Sequence, residues 1–213
     1  MSAVPKLQLE QVKNLFTVDQ YLAMERASQE RHIYLDGEVY LMAGESDEHG
    51  DVSVNTILSL GNQLKGKPCR LRTKDTKVRS GPVPMTGRGT RGMFSYPDIV
   101  VVCGEREFHD AYKDVILNPK CIVEVLSPST EAFDRGEKCT RYQTWNPTLT
   151  DYLLVSQDKP QVEHYSRQQD GIWSFRRSIG LDAIVEIPSI GCTLRLADIY
   201  DGVAFGELPT EEM

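Results

Sequence analysis

The sequence predicts an α/β fold in which a mixed central sheet is flanked by helices. Segments 97–103 and 121–127 are short and almost uniformly apolar, which is typical of strands buried on both faces of a sheet. Segments with helical spacing of apolar residues precede and follow them. From about 48 to 156 the predicted order is helix, three strands, helix and strand. Because helices and strands alternate only in part, the sheet is expected to be mixed.

An N-terminal helix and a hairpin are predicted before this core. The helix over 17–30 begins at Thr17, whose hydroxyl is a suitable cap, and apolar residues follow at helical spacing. The Asp36-Gly37 dipeptide between two alternating segments is a strong signal for a hairpin turn. A second helix, over 48–64, carries a broad apolar stripe that indicates packing on the core.

The rest of the chain supplies more strands and one further helix. Segment 69–79 alternates and predicts a single strand, and the glycine- and proline-rich segment 80–92 predicts a loop. The helix follows the strand 121–127 and ends just before Pro147. After the strand 151–156 the tail alternates in four segments, which predicts an antiparallel meander.

Length and cysteine pattern restrict the class of protein. The 213 residues fit one domain, and neither a membrane-spanning run nor a signal peptide is visible. The five cysteines are odd in number, widely spaced and without a CxxC pair, so neither a disulfide framework nor a structural zinc site is expected. Cys103 and Cys121 lie in apolar runs and are interpreted as core residues. The expected location is therefore a reducing cytoplasm.

The charge of the chain is unevenly distributed. Its net value of −7 argues at first against a nucleic-acid-binding protein, which is usually basic. Residues 65–91, however, hold nine lysines and arginines against one acid, a local charge of +8. This excess indicates a specialised surface, which would bind phosphates regardless of sequence if the partner is a nucleic acid. The candidate residues are Arg70, Arg72, Lys74, Arg79, Arg88 and Arg91.

Two carboxylates stand where a buried sheet would not ordinarily hold them. Glu124 lies in the middle of an apolar strand, and Asp98 begins another. A buried carboxylate needs a compensating cation or hydrogen-bond donors. If the strands are neighbours, Asp98 and Glu124 are suited to a hard cation such as Mg²⁺. A structural salt bridge, or an acid at a strand edge facing solvent, is the alternative.

Several motifs together resemble the Uma-two family of restriction-type endonucleases, within the PD-(D/E)xK nuclease superfamily. They are YLDGEVYLMAG, YPDIVVVCG, DYLLV and, most specifically, IVEVLSPST followed by DRGEK. The resemblance extends over about 16–203. It implies a single nuclease-like domain at 16–203 with a restriction-endonuclease-like core, and flexible termini at 1–15 and 204–213.

The resemblance also implies roles for individual residues. Asp98 and Glu124 would be the ligands of Mg²⁺ or Mn²⁺. The superfamily pattern has a lysine two residues after the glutamate, where this chain has Leu126. Lys138 of DRGEK fits a lysine moved into the following helix, whose long side chain can extend back to Glu124. A solvated helix lysine is the alternative for Lys138. His49 is expected near the site, or else as a surface or capping residue.

Three further residues are possible members of the site. Glu38 follows the hairpin turn and is a candidate additional acid. Asp75, the single acid of the basic stretch, is either an outer metal ligand or the partner of a neighbouring lysine. Lys77 would lie on the same strand face as Asp75, because side chains alternate with a period of two.

The resulting functional hypothesis is a metal-dependent endonuclease that hydrolyses DNA phosphodiester bonds. The alternatives are a nuclease-like DNA-binding protein without catalysis, which Leu126 keeps open, and an oligomeric interaction protein. DNA is the expected partner, and a homodimer through the C-terminal strands is also expected.

Overall fold

The computed structural model describes residues 15–82 and 89–205, and it contains two sheets and a two-stranded ribbon. Its first strands are β1 (His32–Leu35), β2 (Glu38–Leu41), β3 (Cys69–Thr73), β4 (Lys77–Ser80), β5 (Met93–Ser95), β6 (Ile99–Cys103) and β7 (Val115–Ile116). The remaining strands are β8 (Cys121–Leu126), β9 (Asp151–Ser156), β10 (Gln161–Arg167), β11 (Trp173–Ile179), β12 (Ile184–Ile187) and β13 (Cys192–Arg195). The helices are α1 (Val18–Ala27), α2 (Asp47–Leu64), α3 (Glu131–Phe133), α4 (Cys139–Trp145) and α5 (Leu196–Ile199).

The central sheet has the strand order β11-β10-β9-β8-β6-β3. Strands β8 and β9 are parallel and the other neighbours are antiparallel. The N-terminal sheet, in the order β2-β1-β5-β4-β7, is also mixed, because β4 and β7 are parallel. The predicted α/β class with mixed sheets flanked by helices is confirmed. The predicted meander, by contrast, divides: β10 and β11 extend the central sheet, and β12 and β13 form a ribbon of their own.

Helices cover both faces of the central sheet. Helix α2 begins at the cap Ser46 and packs Val52 and Leu60 on the face that carries Val123 and Val125. On the opposite face α4 packs against another set of strand residues, which includes Ile122, Leu126 and Leu154. Successive residues of β8 point to opposite faces, so Glu124 lies on the α4 side.

The basic segment is divided between the two sheets. A turn closed by Thr76 N–H donating to the Thr73 carbonyl (2.9 Å) separates β3 from β4. The prediction of one strand over 69–79 was therefore wrong. Strand β3 is the edge of the central sheet, whereas β4 lies inside the N-terminal sheet. Regular alternation on both sides of the turn concealed this division.

Two of the five cysteines form a disulfide, contrary to the sequence-based expectation. Cys69 and Cys103 are directly opposite each other in the antiparallel pair β3 and β6, and their sulfurs are bonded. Cys121, by contrast, is a free, buried core residue, as predicted. The two bonded cysteines are 34 residues apart, which is not the spacing of any short cysteine motif. Only the register of the two strands brings them together. The cysteine argument for a reducing compartment is therefore weakened.

The helix after β8 contains a π turn, Asp134–Lys138, between α3 and α4. Single π turns within helices are frequent at functional sites. This turn buries Asp134 and Lys138 against the central sheet.

Within the ranges described, no helix combines the length and the apolar character needed to span a membrane. The flexible termini predicted at 1–15 and 204–213 fall almost entirely on residues outside these ranges.

Candidate active site

A cavity of about 510 Å³ opens at the end of the central sheet where β6 begins and β8 ends. Asp98, Glu124, Asp134, Lys138 and His49 all line it. The loop from β2 to α2 forms one wall, and the loop from β8 to α3 forms another. The cavity therefore brings together side chains from a strand end, a strand, a π turn and a helix N-terminus.

The register of β6 and β8 places Asp98 beside Glu124. Ile99 is opposite Val123 in this antiparallel pair, so the next position along pairs Asp98 with Glu124. Asp98 Oδ2 accepts a hydrogen bond from the Val125 N–H at 2.7 Å, which fixes the carboxylate against the strand. Within the described residues, Asp98 Oδ1 makes no hydrogen bond.

The π turn supplies the ammonium group of the site. Lys138 Nζ lies 2.8 Å from Glu124 Oε1 and 2.9 Å from Asp134 Oδ1. Asp134 and Lys138 are four residues apart on one helical face, so the aspartate holds the lysine in place. Leu126, at the usual lysine position, is buried under α4 instead.

The Glu124 carboxylate is only partly compensated. Its side chain is 3% exposed, and Oε1 is fully buried without a hydrogen bond of good geometry, although the Lys138 ammonium is close. Burial raises the pKa of Glu124 well above its ordinary value, and Asp134 and Asp98 act in the same direction against Lys138. Burial would lower the pKa of Lys138, but the two carboxylates beside it raise it, so the lysine stays charged. Two carboxylates, those of Glu124 and Asp134, therefore share one lysine, and Asp98 lies beside Glu124.

His49 connects Asp98 to the rim of the cavity. It follows the cap Ser46, and its Nε2 lies 3.4 Å from Asp98 Oδ2. On its other side, Nδ1 lies 3.4 Å from Glu45 Oε2, and Glu45 in turn pairs with Lys74. Burial would lower the pKa of His49, but Asp98 and Glu45 outweigh it and raise the pKa. The imidazole thus lies between two carboxylates and supports Asp98.

The donor set fits a hard divalent cation. Mg²⁺ prefers oxygen ligands, keeps several waters and is commonly held by one or two carboxylates. Asp98 and Glu124 supply such a pair from neighbouring strands and both line the cavity, where Glu124 Oε1 lies 2.8 Å from the Lys138 ammonium. In the part of the chain that the structure describes, no group of three or more His, Cys, Asp and Glu side chains is arranged as a metal cage. Only a site completed by water or phosphate oxygens is compatible with this geometry.

Comparison with known proteins identifies the family. Residues 18–197 match the family model described as "Uma2: Putative restriction endonuclease". The chain belongs to this family. The resemblance read from the motifs is therefore confirmed, and it covers nearly the whole described chain.

Two relatives and one solved structure are similar to this Uma2 chain. An uncharacterized protein of Synechocystis sp., slr1290, is 36% identical over 187 residues, which cover 88% of this chain and 92% of the relative. A second one, sll1609, is 28% identical over 172 residues, or 81% and 92%. A crystal structure from Anabaena variabilis of "a putative nuclease belonging to DUF820" superposes with a TM-score of 0.66 at 17% identity, covering 87% of this chain and 97% of that one. At that identity the likeness shows the fold alone.

Three of the predicted site residues lie outside this Uma2 cavity. Glu38 is on β2, where it contacts the Tyr40 hydroxyl. Asp75 is exposed and pairs with Arg31 at 3.1 Å rather than with a neighbouring lysine. Lys77 is buried, and its Nζ lies 3.0 Å from Asp114 Oδ2. The turn between β3 and β4 separates Asp75 from Lys77, which is why these two expectations failed.

The predicted phosphate-binding residues differ in location and in exposure to solvent. Lys74 lines the cavity, whereas Arg70 and Arg91 are exposed and Arg72 is half-buried on β3. Arg79 is only 6% exposed and its guanidinium lies over the Phe94 ring, so its predicted role in phosphate binding was wrong. Its place inside the N-terminal sheet explains the burial. Arg88 lies outside the described residues.

Sequence reasoning missed three members of the site. Asp134 and Glu45 each stand four residues before a predicted site residue, and this i,i+4 spacing was the available signal. Tyr96, on the cavity wall, gave no such signal, because its position depends on the packing of the two sheets.

Proposed function

We propose that this chain is a metal-dependent endonuclease that hydrolyses DNA phosphodiester bonds with Mg²⁺ or Mn²⁺. The observation that carries the proposal is the Glu124 carboxylate, which is buried beside Asp98 in the cavity and shares the Lys138 ammonium with Asp134. Membership of a family described as restriction endonucleases supports it.

Asp98 and Glu124 would hold the cation. When bound, a divalent ion supplies a Lewis acid for the phosphodiester and lowers the pKa of a water molecule. The backbone N–H of Val125 and the His49 imidazole orient Asp98 for this role. His49 is therefore a positioning residue in the proposal.

Lys138 would take the role of the lysine that the superfamily pattern has on the strand, at the position where this chain has Leu126. Its ammonium is fixed between Glu124 and Asp134, facing the cavity. Because its pKa is raised, Lys138 acts as a hydrogen-bond donor to a phosphate oxygen rather than as a base. Its charge then opposes the negative charge that develops on the phosphoryl oxygens in the transition state.

The contacts to DNA outside the cavity would be sequence-independent. Lys74 and Arg31 line the cavity and are available to the phosphates that flank the scissile one, and Arg70 and Arg91 are exposed cations farther along the chain. Such binding weakens as salt concentration rises, because phosphate neutralisation releases counterions. A DNA substrate is also consistent with activity in the cytoplasm.

The test is cleavage of plasmid and oligonucleotide DNA with Mg²⁺ or Mn²⁺. Glu124→Gln and Asp98→Asn are expected to lower the cleavage rate by about a hundredfold or more, since each removes a charge that holds the cation. The matched control is Glu163→Gln, a buried carboxylate of the same sheet outside the cavity, which should retain cleavage. If both site variants cleave like the wild type, the proposal is wrong.

A DNA-binding protein without catalysis is the second candidate, and Leu126 is the observation that favours it. Salt-sensitive DNA binding with no metal-dependent product would support that candidate over a nuclease. The homodimer expected from the C-terminal strands stays a prediction.

A further inference from the structure

We infer that the cavity accepts one unpaired nucleotide of a DNA strand. The proposed nuclease would then act on single strands, or on nucleotides extruded from a duplex, in preference to stacked duplex DNA. This substrate class rests on the proposed function and makes it more specific.

The reactive groups lie deep in a cavity of single-nucleotide size. Glu124 and Lys138 have side chains that are 3% and 6% exposed, so they form the floor of the cavity rather than a surface ridge. The volume of about 510 Å³ is within the range that encloses one small ligand. A flexible unpaired strand can bend so that one of its phosphates reaches such a floor, and enzymes that act on the bases of a duplex extrude the nucleotide from the stack.

The cavity walls have the chemistry of a base-binding site. Tyr96 and Phe133 line it, and aromatic rings are the usual platforms on which unpaired bases stack. The Tyr96 hydroxyl donates to Glu25 Oε1 at 2.5 Å and lies 3.3 Å from Lys77 Nζ, which holds the ring in place. Apolar Ile33 and Met42 continue the wall. Phosphate alone would not require a wall of this kind.

One polar group on the wall is also available to a base. Gln157 follows β9 and lines the cavity, and its buried Oε1 has no hydrogen-bond partner within the described residues. A buried amide oxygen without a partner is costly. The exocyclic amino group of adenine, cytosine or guanine is a donor that would satisfy it.

The rim offers contacts for the neighbouring phosphates. On one side Arg31 donates to the Lys74 carbonyl at 3.0 Å, which keeps these two cationic residues together. On the other side the Ser127 hydroxyl lies 3.1 Å from that of Ser129 and 2.9 Å from that of Thr130. Cationic and hydroxyl side chains are the ones that commonly position a nucleic-acid backbone. A strand could therefore pass over the rim with one nucleotide inserted.

The experiment measures binding and cleavage separately. Fluorescence anisotropy of a labelled oligonucleotide, without divalent metal and at fixed low salt, compares the single strand with its duplex. The full-length chain is tested as wild type and as Phe133→Leu, which loses the ring, and Phe133→Tyr, which keeps it. The matched control is Phe175→Leu, because Phe175 is an aromatic residue exposed on β11 outside the cavity.

Single strands are expected to bind the wild type at least about tenfold more tightly than the duplex does. Phe133→Leu should weaken single-strand binding by about 5- to 150-fold, the range for one stacked base, while Phe133→Tyr and Phe175→Leu bind like the wild type. Equal or tighter duplex binding, equal losses in Phe133→Leu and Phe175→Leu, or no binding of either form would overturn the inference.

Cleavage assays with Mn²⁺ separate the inference from the proposed function. If Glu124-dependent cleavage of duplex and single strand proceeds at equal rates, the proposed nuclease function is supported and the single-nucleotide inference is wrong. If single strands bind tightly and through Phe133 but no metal-dependent product forms, the single-nucleotide site is supported and the nuclease function is wrong.

Discussion

Two buried glutamates on one face of the central sheet have different surroundings. Glu124 on β8 and Glu163 on β10 both pair in register with Leu154 of β9 between them. Glu163 contacts the guanidinium groups of Arg135 and Arg177 and accepts a hydrogen bond from an amide. Two cations therefore neutralise this one carboxylate.

Glu124, in contrast, shares a single lysine with Asp134 and faces a cavity. Its Oε1 lies 2.8 Å from that lysine, and burial raises the pKa of the Glu124 carboxyl. The difference shows that burial of an acid does not by itself indicate a site. The incomplete compensation, together with access from the cavity, distinguishes Glu124 from a structural ion pair such as that of Glu163.

Removal of the cation from each cluster should have unequal effects on stability. Lys138→Met leaves Glu124 and Asp134 buried without a counter-charge, so the free energy of unfolding should fall by about 3–5 kcal/mol at neutral pH. Arg135→Met leaves Glu163 paired with Arg177 and should cost about 1–2 kcal/mol. Urea unfolding measures both values.

A double variant provides the control for this prediction. Lys138→Met combined with Glu124→Gln removes one of the unpaired charges and should recover part of the lost stability without recovering cleavage. Equal losses in Lys138→Met and Arg135→Met would show that the two clusters are alike.

The disulfide allows stability to be changed without altering either cluster. Cys69→Ala with Cys103→Ala releases β3 from β6 and should lower the free energy of unfolding by about 4 kcal/mol, from the entropy of a loop spanning 34 residues. Cleavage below the melting temperature should persist, since Asp98 and Glu124 keep their places. Loss of cleavage in this variant would mean that the losses in the site variants reflect stability rather than chemistry.

A third acid, Asp114, extends the comparison of the two glutamates to the pH dependence of stability. Burial would raise the pKa of Asp114, but its contacts with Arg26 and Lys77 lower it to about 2. Because the folded pKa is below that of the unfolded chain, this contribution is present above about pH 4 and is lost between about pH 4 and 2. Asp114→Asn should therefore reduce stability at pH 6 by about 1 kcal/mol, a value that allows for solvent screening, and much less at pH 2. A constant difference across this range, measured by urea unfolding, would contradict the assignment.

The sequence was sufficient to indicate Asp98 and Glu124, because acids in otherwise apolar strands are conspicuous. It also indicated Lys138, whose distance from Glu124 depends mainly on the local helix. It did not reveal the Cys69–Cys103 pair or the Glu163 cluster, because both depend on which strands become neighbours and in what register. Asp75 and Lys77 were predicted on one strand face. The turn between β3 and β4 instead places them in different surroundings, although they are only two residues apart.

The central claim is that Glu124 is an incompletely compensated carboxylate that holds a divalent cation with Asp98. The most direct measurement is a crystal structure of the protein soaked in Mn²⁺, with anomalous scattering to locate the ion. We expect an anomalous peak between Asp98 and Glu124, about 2.1 Å from an oxygen of each, and none at Glu163. A peak at Glu163, or no peak at Glu124 at saturating Mn²⁺, would contradict the claim.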